Sequence, residues 1–143
     1  MELLAQAARD GALPDVAALV QAVPYCALLG ITARLEGGRV VLDMAFDYKL
    51  IGNPVLPAIH GGVIGSLLET AAIVQTVWAT KSASLPKPVD ITIDYLRSAR
   101  AVTSHASATL ARQGRRVVNV HATMWQEDET KPVAGLRGHF LLK

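Results

Sequence analysis

The chain has 143 residues and a net charge of +2, with 51% hydrophobic and 18% charged residues. Its basic residues are scattered, so the charge pattern does not indicate a nucleic-acid partner. The single cysteine, Cys26, excludes an intrachain disulfide and offers no cysteine cluster for a metal.

The length predicts one domain, residues 1–143, with a single hydrophobic core. The apolar composition favours burial of part of the surface against another subunit. The N-terminus has no basic segment followed by a sustained apolar one, and no uninterrupted apolar run reaches the roughly 18 residues of a membrane span. We therefore expect a soluble cytoplasmic protein without a membrane segment.

The N-terminal segment, residues 1–23, is predicted to form two short helices. Apolar residues recur at helical spacing from Leu3 to Val23, and Gly11 and Pro14 divide the pattern. Pro24 is expected to end the second helix.

One long helix and six strands are predicted after this segment. The helix spans residues 58–79, behind a proline-containing loop. Alternation of apolar and polar residues predicts strands at 31–35, 40–46, 89–95, 102–110, 117–125 and 133–142. Short turns favour antiparallel pairing, with the last four strands as a meander, and the apolar helix is best buried inside the sheet. The predicted fold class is α+β, a six-stranded antiparallel sheet wrapped around one long central helix.

The start of the central helix carries the strongest functional pattern. His60, Gly61 and Gly62 stand at its mouth, where glycines allow close approach of backbone N–H groups to a ligand. The helix dipole favours negative charge at that point. Further along the same apolar helix stands Glu69, and a carboxylate in such surroundings is unusual.

The spacing of Gly61 and Glu69 indicates a site shared between two chains. Eight residues correspond to about 12 Å along a helix, so the two groups cannot both touch one carbonyl carbon. If both serve one reaction, they must come from different copies, related by a two-fold axis.

Together with Asn53 and the strand sequence VDITIDYLR at residues 89–97, this pattern resembles the hotdog-fold acyl-CoA thioesterases of the phenylacetate-degradation (PaaI-like) type. The resemblance covers about residues 30–142. It implies a homodimer, often doubled into a homotetramer, with active sites at the dimer interface. It also implies that Gly61 offers its backbone N–H to the thioester carbonyl, and that Glu69 of the other subunit attacks the carbonyl or activates water.

The chemistry leaves several roles open. Thioester hydrolysis builds negative charge on the carbonyl oxygen, which an N–H at a helix N-terminus stabilises. Glu69 is predicted to be either general base or nucleophile. His60 either orients the turn or transfers a proton, and Asn53 either holds the water or the thioester oxygen or caps its loop. Gly62 and Thr70 are expected to adjoin the substrate.

Two positions depart from the pattern of the related enzymes. Pro88, expected beside the substrate, stands where relatives often carry serine or threonine, and Ile73 stands where a threonine often follows the glutamate. Arginines could receive the phosphates of coenzyme A, since arginine suits bidentate contacts, and the alternative for each one is a solvated surface position. The candidates are Arg97, Arg100, Arg112, Arg115 and Arg116.

The predicted function is hydrolysis of an acyl- or aryl-CoA thioester, and two other functions compete with it. One is a non-catalytic acyl-CoA binding protein, which the departures at Pro88 and Ile73 favour. The other is a hotdog dehydratase or hydratase, but the stretch from Ile31 to Pro57 lacks the histidine that such enzymes use. No cofactor is predicted, because coenzyme A is part of the substrate. No metal is predicted, because His105, His121 and His139 lie on three different strands without metal-ligand spacing.

Overall fold

The computed structural model describes residues 2–142 and consists of a curved antiparallel sheet around one long helix. In chain order the elements are α1 (Glu2–Arg9), α2 (Val16–Ala22), α3 (Pro24–Leu29), β1 (Ile31–Glu36), β2 (Arg39–Met44), a 3-10 turn (Tyr48–Leu50), β3 (Ile51–Asn53), β4 (Ala58–Ile59), α4 (Gly61–Thr80), β5 (Lys87–Tyr95), β6 (Ser104–Gln113), β7 (Val117–Trp125) and β8 (Ala134–Leu141).

The large sheet has the strand order β1-β2-β6-β7-β8-β5, and all its pairs are antiparallel. The predicted four-strand meander is wrong for β5, which pairs with β8 at the edge of the sheet rather than with β6. The connector at 96–103 instead passes the start of α4, where the Ala99 carbonyl accepts a hydrogen bond from Ile59 N–H at 2.9 Å. This crossing places β6 beside β2, so that the first hairpin and the later strands form one continuous sheet.

The core lies between α4 and the inner face of the sheet. Leu67, Leu68 and Ala72 on the helix are fully buried, and α4 contacts β2, β6 and β7. Burying a leucine-sized side chain stabilises a fold by about 1.5–3 kcal/mol. The one glutamine in this helix is also satisfied, because Gln75 Oε1 accepts a hydrogen bond from Val40 N–H at 2.8 Å. The expected α+β hotdog architecture is therefore confirmed.

Two helix boundaries differ from the sequence-based prediction. The central helix begins at Gly61 rather than at Ala58, because Ala58 and Ile59 pair with β3 as a short strand. Pro24 does not stop the chain from being helical but starts α3, since proline is favoured in the first turn of a helix. Gly30, at φ 73°, ends that third helix in the left-handed conformation.

By length and composition α4 would be able to cross a membrane, with a mean hydropathy of 1.3. The expectation of no membrane segment rested on a search for uninterrupted apolar runs. That search does not find α4, because polar residues are dispersed along the helix. Half of that stretch is buried inside the protein, as in the core helix of a globular fold.

Candidate active site

The start of α4 presents one backbone donor that the protein itself does not use. His60 is the N-cap, and its Nδ1 accepts a hydrogen bond from Gly62 N–H at 2.8 Å. The N–H of Gly61 forms no hydrogen bond with any residue between 2 and 142. A free N–H at the positive end of a 20-residue helix is a suitable place for an anion or a developing oxyanion.

His60 is held firmly in its capping position. Its own N–H donates to the Leu50 carbonyl at 2.8 Å, and a Cβ on Gly52 would lie only 2.7 Å from the Cα of His60. Because Nδ1 accepts a hydrogen bond, the neutral ring carries its proton on Nε2. The geometry is that of a residue that orients the turn.

An open groove of about 390 Å³ borders Gly61. Ile64 lines it from α4, and Tyr95, Arg97 and Ala99 line it from β5 and the connector that follows. The Tyr95 hydroxyl donates a hydrogen bond to the Gly61 carbonyl at 2.8 Å. Sequence reasoning missed Tyr95 as a site residue, although its alternation with Ile91 and Ile93 already placed it on the face of β5 that meets α4.

Glu69 lies two turns further along α4, between two differently covered strips of the helix. On one side, a Cβ on Gly61 or Gly65 would contact Tyr95 or Ile93 of β5. On the other side, Thr70 and Ile73 adjoin α2 and α3. The side chain is half-buried, and its carboxylate forms neither a hydrogen bond nor an ion pair within residues 2–142.

Strand β5 leaves one edge of the sheet open beside Glu69. It is the last strand of the sheet and pairs only with β8 among the described strands. Two apolar side chains of β5, Val89 and Tyr95, are 62% and 55% exposed. An unpaired edge strand with exposed apolar side chains is a template for pairing with another strand.

The other predicted site residues are distributed as follows. Asn53 Oδ1 accepts hydrogen bonds from Val55 N–H at 3.0 Å and Leu56 N–H at 3.4 Å, so it caps its own loop. Thr70 donates its hydroxyl proton to the Ser66 carbonyl at 2.7 Å. Pro88 lies on β5 opposite Phe140 and outside the groove, whereas Arg97 lies at the groove.

The structure thus brings Gly61, Tyr95 and Arg97 together and places Thr70 beside Glu69. Of the other arginines, Arg115 lines a larger depression of about 590 Å³ near the opposite end of α4, which contains none of the predicted catalytic residues. Among residues 2–142 there is no group of three or more histidine, cysteine or acidic side chains with the geometry to hold a metal ion.

Comparison with known proteins gives consistent matches. Residues 56–133 match the family model described as thioesterase superfamily. The chain is 29% identical over 123 residues to the medium/long-chain acyl-CoA thioesterase YigI of Salmonella typhimurium, covering 75% of this chain and 78% of that protein. The YigI protein of Escherichia coli K12 is 28% identical over 121 residues, with the same coverage.

Solved structures match over nearly the whole length. A Chromobacterium violaceum protein superposes with a TM-score of 0.77 and 35% identity, covering 100% of this chain and 98% of that one. A Ralstonia eutropha protein, described as a putative thioesterase related to phenylacetic acid degradation, superposes with a TM-score of 0.75 and 22% identity, covering 89% and 98%. At that identity the second match shows the fold alone.

Proposed function

The chain belongs to the thioesterase superfamily and is a thioester hydrolase, and we propose that it hydrolyses an acyl-CoA at a site shared by two copies of the chain. The observation that carries this proposal is the pair of unused groups on α4. Gly61 N–H and the Glu69 carboxylate have no partner within residues 2–142, yet they lie about 12 Å apart along one helix.

The N–H of Gly61 is the proposed oxyanion donor. Attack on a thioester carbonyl places negative charge on its oxygen, and a fixed N–H at a helix N-terminus stabilises that charge. The Gly61 N–H shares its peptide with the His60 carbonyl, which accepts hydrogen bonds from Val63 N–H at 3.0 Å and from Ile64 N–H at 3.2 Å. The next peptide is fixed by the cap from His60 to Gly62 N–H and by the hydrogen bond from Tyr95 to the Gly61 carbonyl. The donor is therefore oriented before the substrate binds.

The carboxylate of Glu69 is the proposed group that drives the attack. As a general base it removes a proton from water while the water oxygen bonds to the carbonyl carbon. The tetrahedral intermediate then expels the coenzyme A thiolate, which takes up a proton, and the carboxylic acid is released. As a nucleophile Glu69 bonds to the same carbon and forms a mixed anhydride that water later cleaves. Both routes need the carboxylate at the carbonyl.

The second copy of the chain is proposed to join at the free edge of β5. Two such edges, paired about a two-fold axis, continue one sheet into the next and cover Val89 and Tyr95. The arrangement moves Glu69 of one subunit towards Gly61 of the other. A homodimer is the smallest assembly that completes the site, and a homotetramer of two dimers is the larger one that the family resemblance implies.

Acyl-CoA as substrate is supported by the names of the related YigI proteins, which specify medium- and long-chain acyl groups. Arg97 stands exposed at the groove and is the proposed contact for a coenzyme A phosphate. We also propose that the chain is a water-soluble cytoplasmic protein, a compartment that is compatible with its one free, buried cysteine, Cys26.

A non-catalytic acyl-CoA binding protein is the second candidate. It is favoured by the surroundings of Glu69, because the neighbouring Thr70 hydroxyl is committed to the Ser66 carbonyl and Ile73 has no hydrogen-bonding group. Within one subunit, therefore, neither neighbour orients the carboxylate or a water molecule.

The deciding experiment measures thiol release from a panel of acyl-CoA esters by the wild type and by Glu69→Gln. Loss of the catalytic carboxylate should lower kcat by at least about 100-fold, since general acid–base groups contribute that much or more. Glu36→Gln, at an exposed glutamate paired with Arg34 at the end of β1, is the matched control and should leave kcat unchanged. Equal turnover by Glu69→Gln and wild type would refute the mechanism, and absence of turnover in the wild type would favour the binding protein.

A further inference from the structure

A small cavity of about 90 Å³ lies between the N-terminal helices and α4. The buried side chains of Leu19, Cys26 and Val74 line its inner part. Its outer part is bordered by partly exposed side chains, among them Ile73 and Leu85. The cavity therefore reaches from the core towards the surface, beneath α2 and α3.

The lining has little capacity to hold water. The Thr70 hydroxyl is bonded to the Ser66 carbonyl at 2.7 Å, and burial raises the pKa of the Cys26 thiol, with a smaller opposing effect from the neighbouring Thr70. The thiol therefore stays neutral and behaves as a small apolar group. An ordered water needs two to four polar partners, whereas cavities lined by hydrocarbon stay dry and accept apolar guests.

The position of the cavity ties it to Glu69. Thr70 directly follows Glu69 in the chain, and Ile73 lies one helical turn further, a spacing that brings side chains within about 5–6 Å. A chain attached to a carbonyl at the Glu69 carboxylate would therefore meet the outer end of the cavity within one turn of α4.

We propose that this cavity receives the end of an aliphatic acyl chain and that Ile73 and Leu85 limit its length. The proposal rests on the acyl-CoA function proposed above. The volume is well below the 150 Å³ of an engineered cavity that binds benzene, and it equals about three groups of water size. An alkyl terminus fits this space and an aromatic ring does not, so the cavity selects alkyl over aryl thioesters.

Leu85 offers the sharper test, because it lies in the connector between α4 and β5 rather than on the helix that carries Glu69. Leu85→Phe fills the outer part of the cavity, and Leu85→Ala enlarges it. Leu110→Phe and Leu110→Ala are matched controls, because Leu110 is also half-buried but lies on β6, away from the cavity lining.

The measurement is binding of non-hydrolysable S-butyl-, S-octyl- and S-dodecyl-CoA thioethers and of free coenzyme A to the full chain by calorimetry. Leu85→Phe should weaken octyl-CoA about 10-fold or more while free coenzyme A binds as before, since one misplaced group in an apolar pocket has that effect. Leu85→Ala should make the protein prefer a longer chain, with the affinity rising about fourfold for each additional methylene that the enlarged cavity accommodates.

If the affinity depends on chain length in the same way in the wild type and in both Leu85 variants, the cavity assignment is wrong, whether or not the protein hydrolyses thioesters. If Leu85→Phe does not fold, Leu85→Ala and Ile73→Ala carry the same test. If the chain-length preference shifts as predicted but the protein does not hydrolyse thioesters, the cavity assignment stands and the proposed hydrolytic function is wrong. Tighter binding of S-benzyl-CoA than of S-octyl-CoA by the wild type would also overturn it.

Discussion

The Tyr95 hydroxyl donates a hydrogen bond of 2.8 Å to the carbonyl oxygen of Gly61, and so joins the edge strand to the first peptide of the central helix. The same glycine carries the unused N–H proposed as the oxyanion donor. The tyrosine thus fixes the carbonyl group of the glycine whose N–H is proposed to bind the substrate.

Tyr95→Phe removes this hydrogen bond and keeps the ring. We expect the free energy of unfolding to fall by about 0.5–1.5 kcal/mol, the usual net value of one hydrogen bond. We also expect a lower kcat on acyl-CoA, because the peptide that follows the donor N–H, and with it Gly61, becomes less well fixed. Chemical denaturation and steady-state kinetics check the two parts, and Tyr48→Phe, at an exposed tyrosine away from the groove, is the control.

Gly61→Pro removes the proposed oxyanion donor without removing any hydrogen bond seen in the structure. Proline is favoured at the first helical position, and His60, at φ −59° and ψ 133°, already has the backbone that a residue before proline adopts. We expect kcat to fall about 100- to 1,000-fold with the fold preserved.

Gly61→Ala is the matched control for that change, because it adds a Cβ but keeps the N–H. The added atom would lie 3.4 Å from the Tyr95 ring, an ordinary contact. If the alanine variant loses as much activity as the proline variant, the effect is steric and the oxyanion role of Gly61 is wrong.

Mixed subunits test the shared site. A dimer of one Glu69→Gln chain and one Gly61→Pro chain has two sites across its interface. One of these sites has both native groups, and the other carries both substitutions. Random 1:1 assembly should then restore about a quarter of the wild-type activity. Sites contained within one chain would show no recovery, and size-exclusion chromatography with light scattering establishes that mixed dimers have formed.

His60 variants distinguish positioning from proton transfer. His60→Asn retains a side chain that caps helices well, whereas His60→Ala removes the cap at a cost of about 1 kcal/mol. We expect the asparagine variant to keep most of the kcat and the unfolding free energy. A large loss of kcat in a fully stable asparagine variant would instead assign His60 to proton transfer.

The Arg39–Glu129 ion pair predicts an acid-sensitive part of the stability. The Nη2–Oε2 distance is 3.1 Å, and hydrogen bonding to Arg39 holds the pKa of Glu129 below its ordinary value. The stabilisation is therefore complete above the unfolded-state pKa of about 4.3 and is lost as the pH falls through the lower folded-state pKa.

Comparison of wild type and Glu129→Gln by urea denaturation at several pH values checks this sign. The difference in unfolding free energy should shrink as the pH falls from 6 through the lowered folded-state pKa of Glu129. The exposure of both side chains keeps the difference small at every pH. A difference that grows on acidification would contradict the assignment.

Local patterns in the sequence were enough to identify the architecture and the family. The apolar run that became α4, the two-residue alternation of the strands, and the combination of His60-Gly61-Gly62 with residues 89–97 all depend on neighbours along the chain. The spacing of Gly61 and Glu69 also indicated a shared site, because distance along a helix follows from residue count alone. The family match confirms the resemblance that these residues carried.

Other features depend on contacts between distant residues and were decided only in the folded chain. β5 lies beside β8 and not β6 because the connector after Tyr95 crosses the start of α4. That crossing brings the Tyr95 hydroxyl to Gly61, and the packing of α2 and α3 on α4 creates the cavity next to Ile73. Periodicity predicts which face of a strand or helix is apolar, but the meeting of two such faces is set by the path of the whole chain.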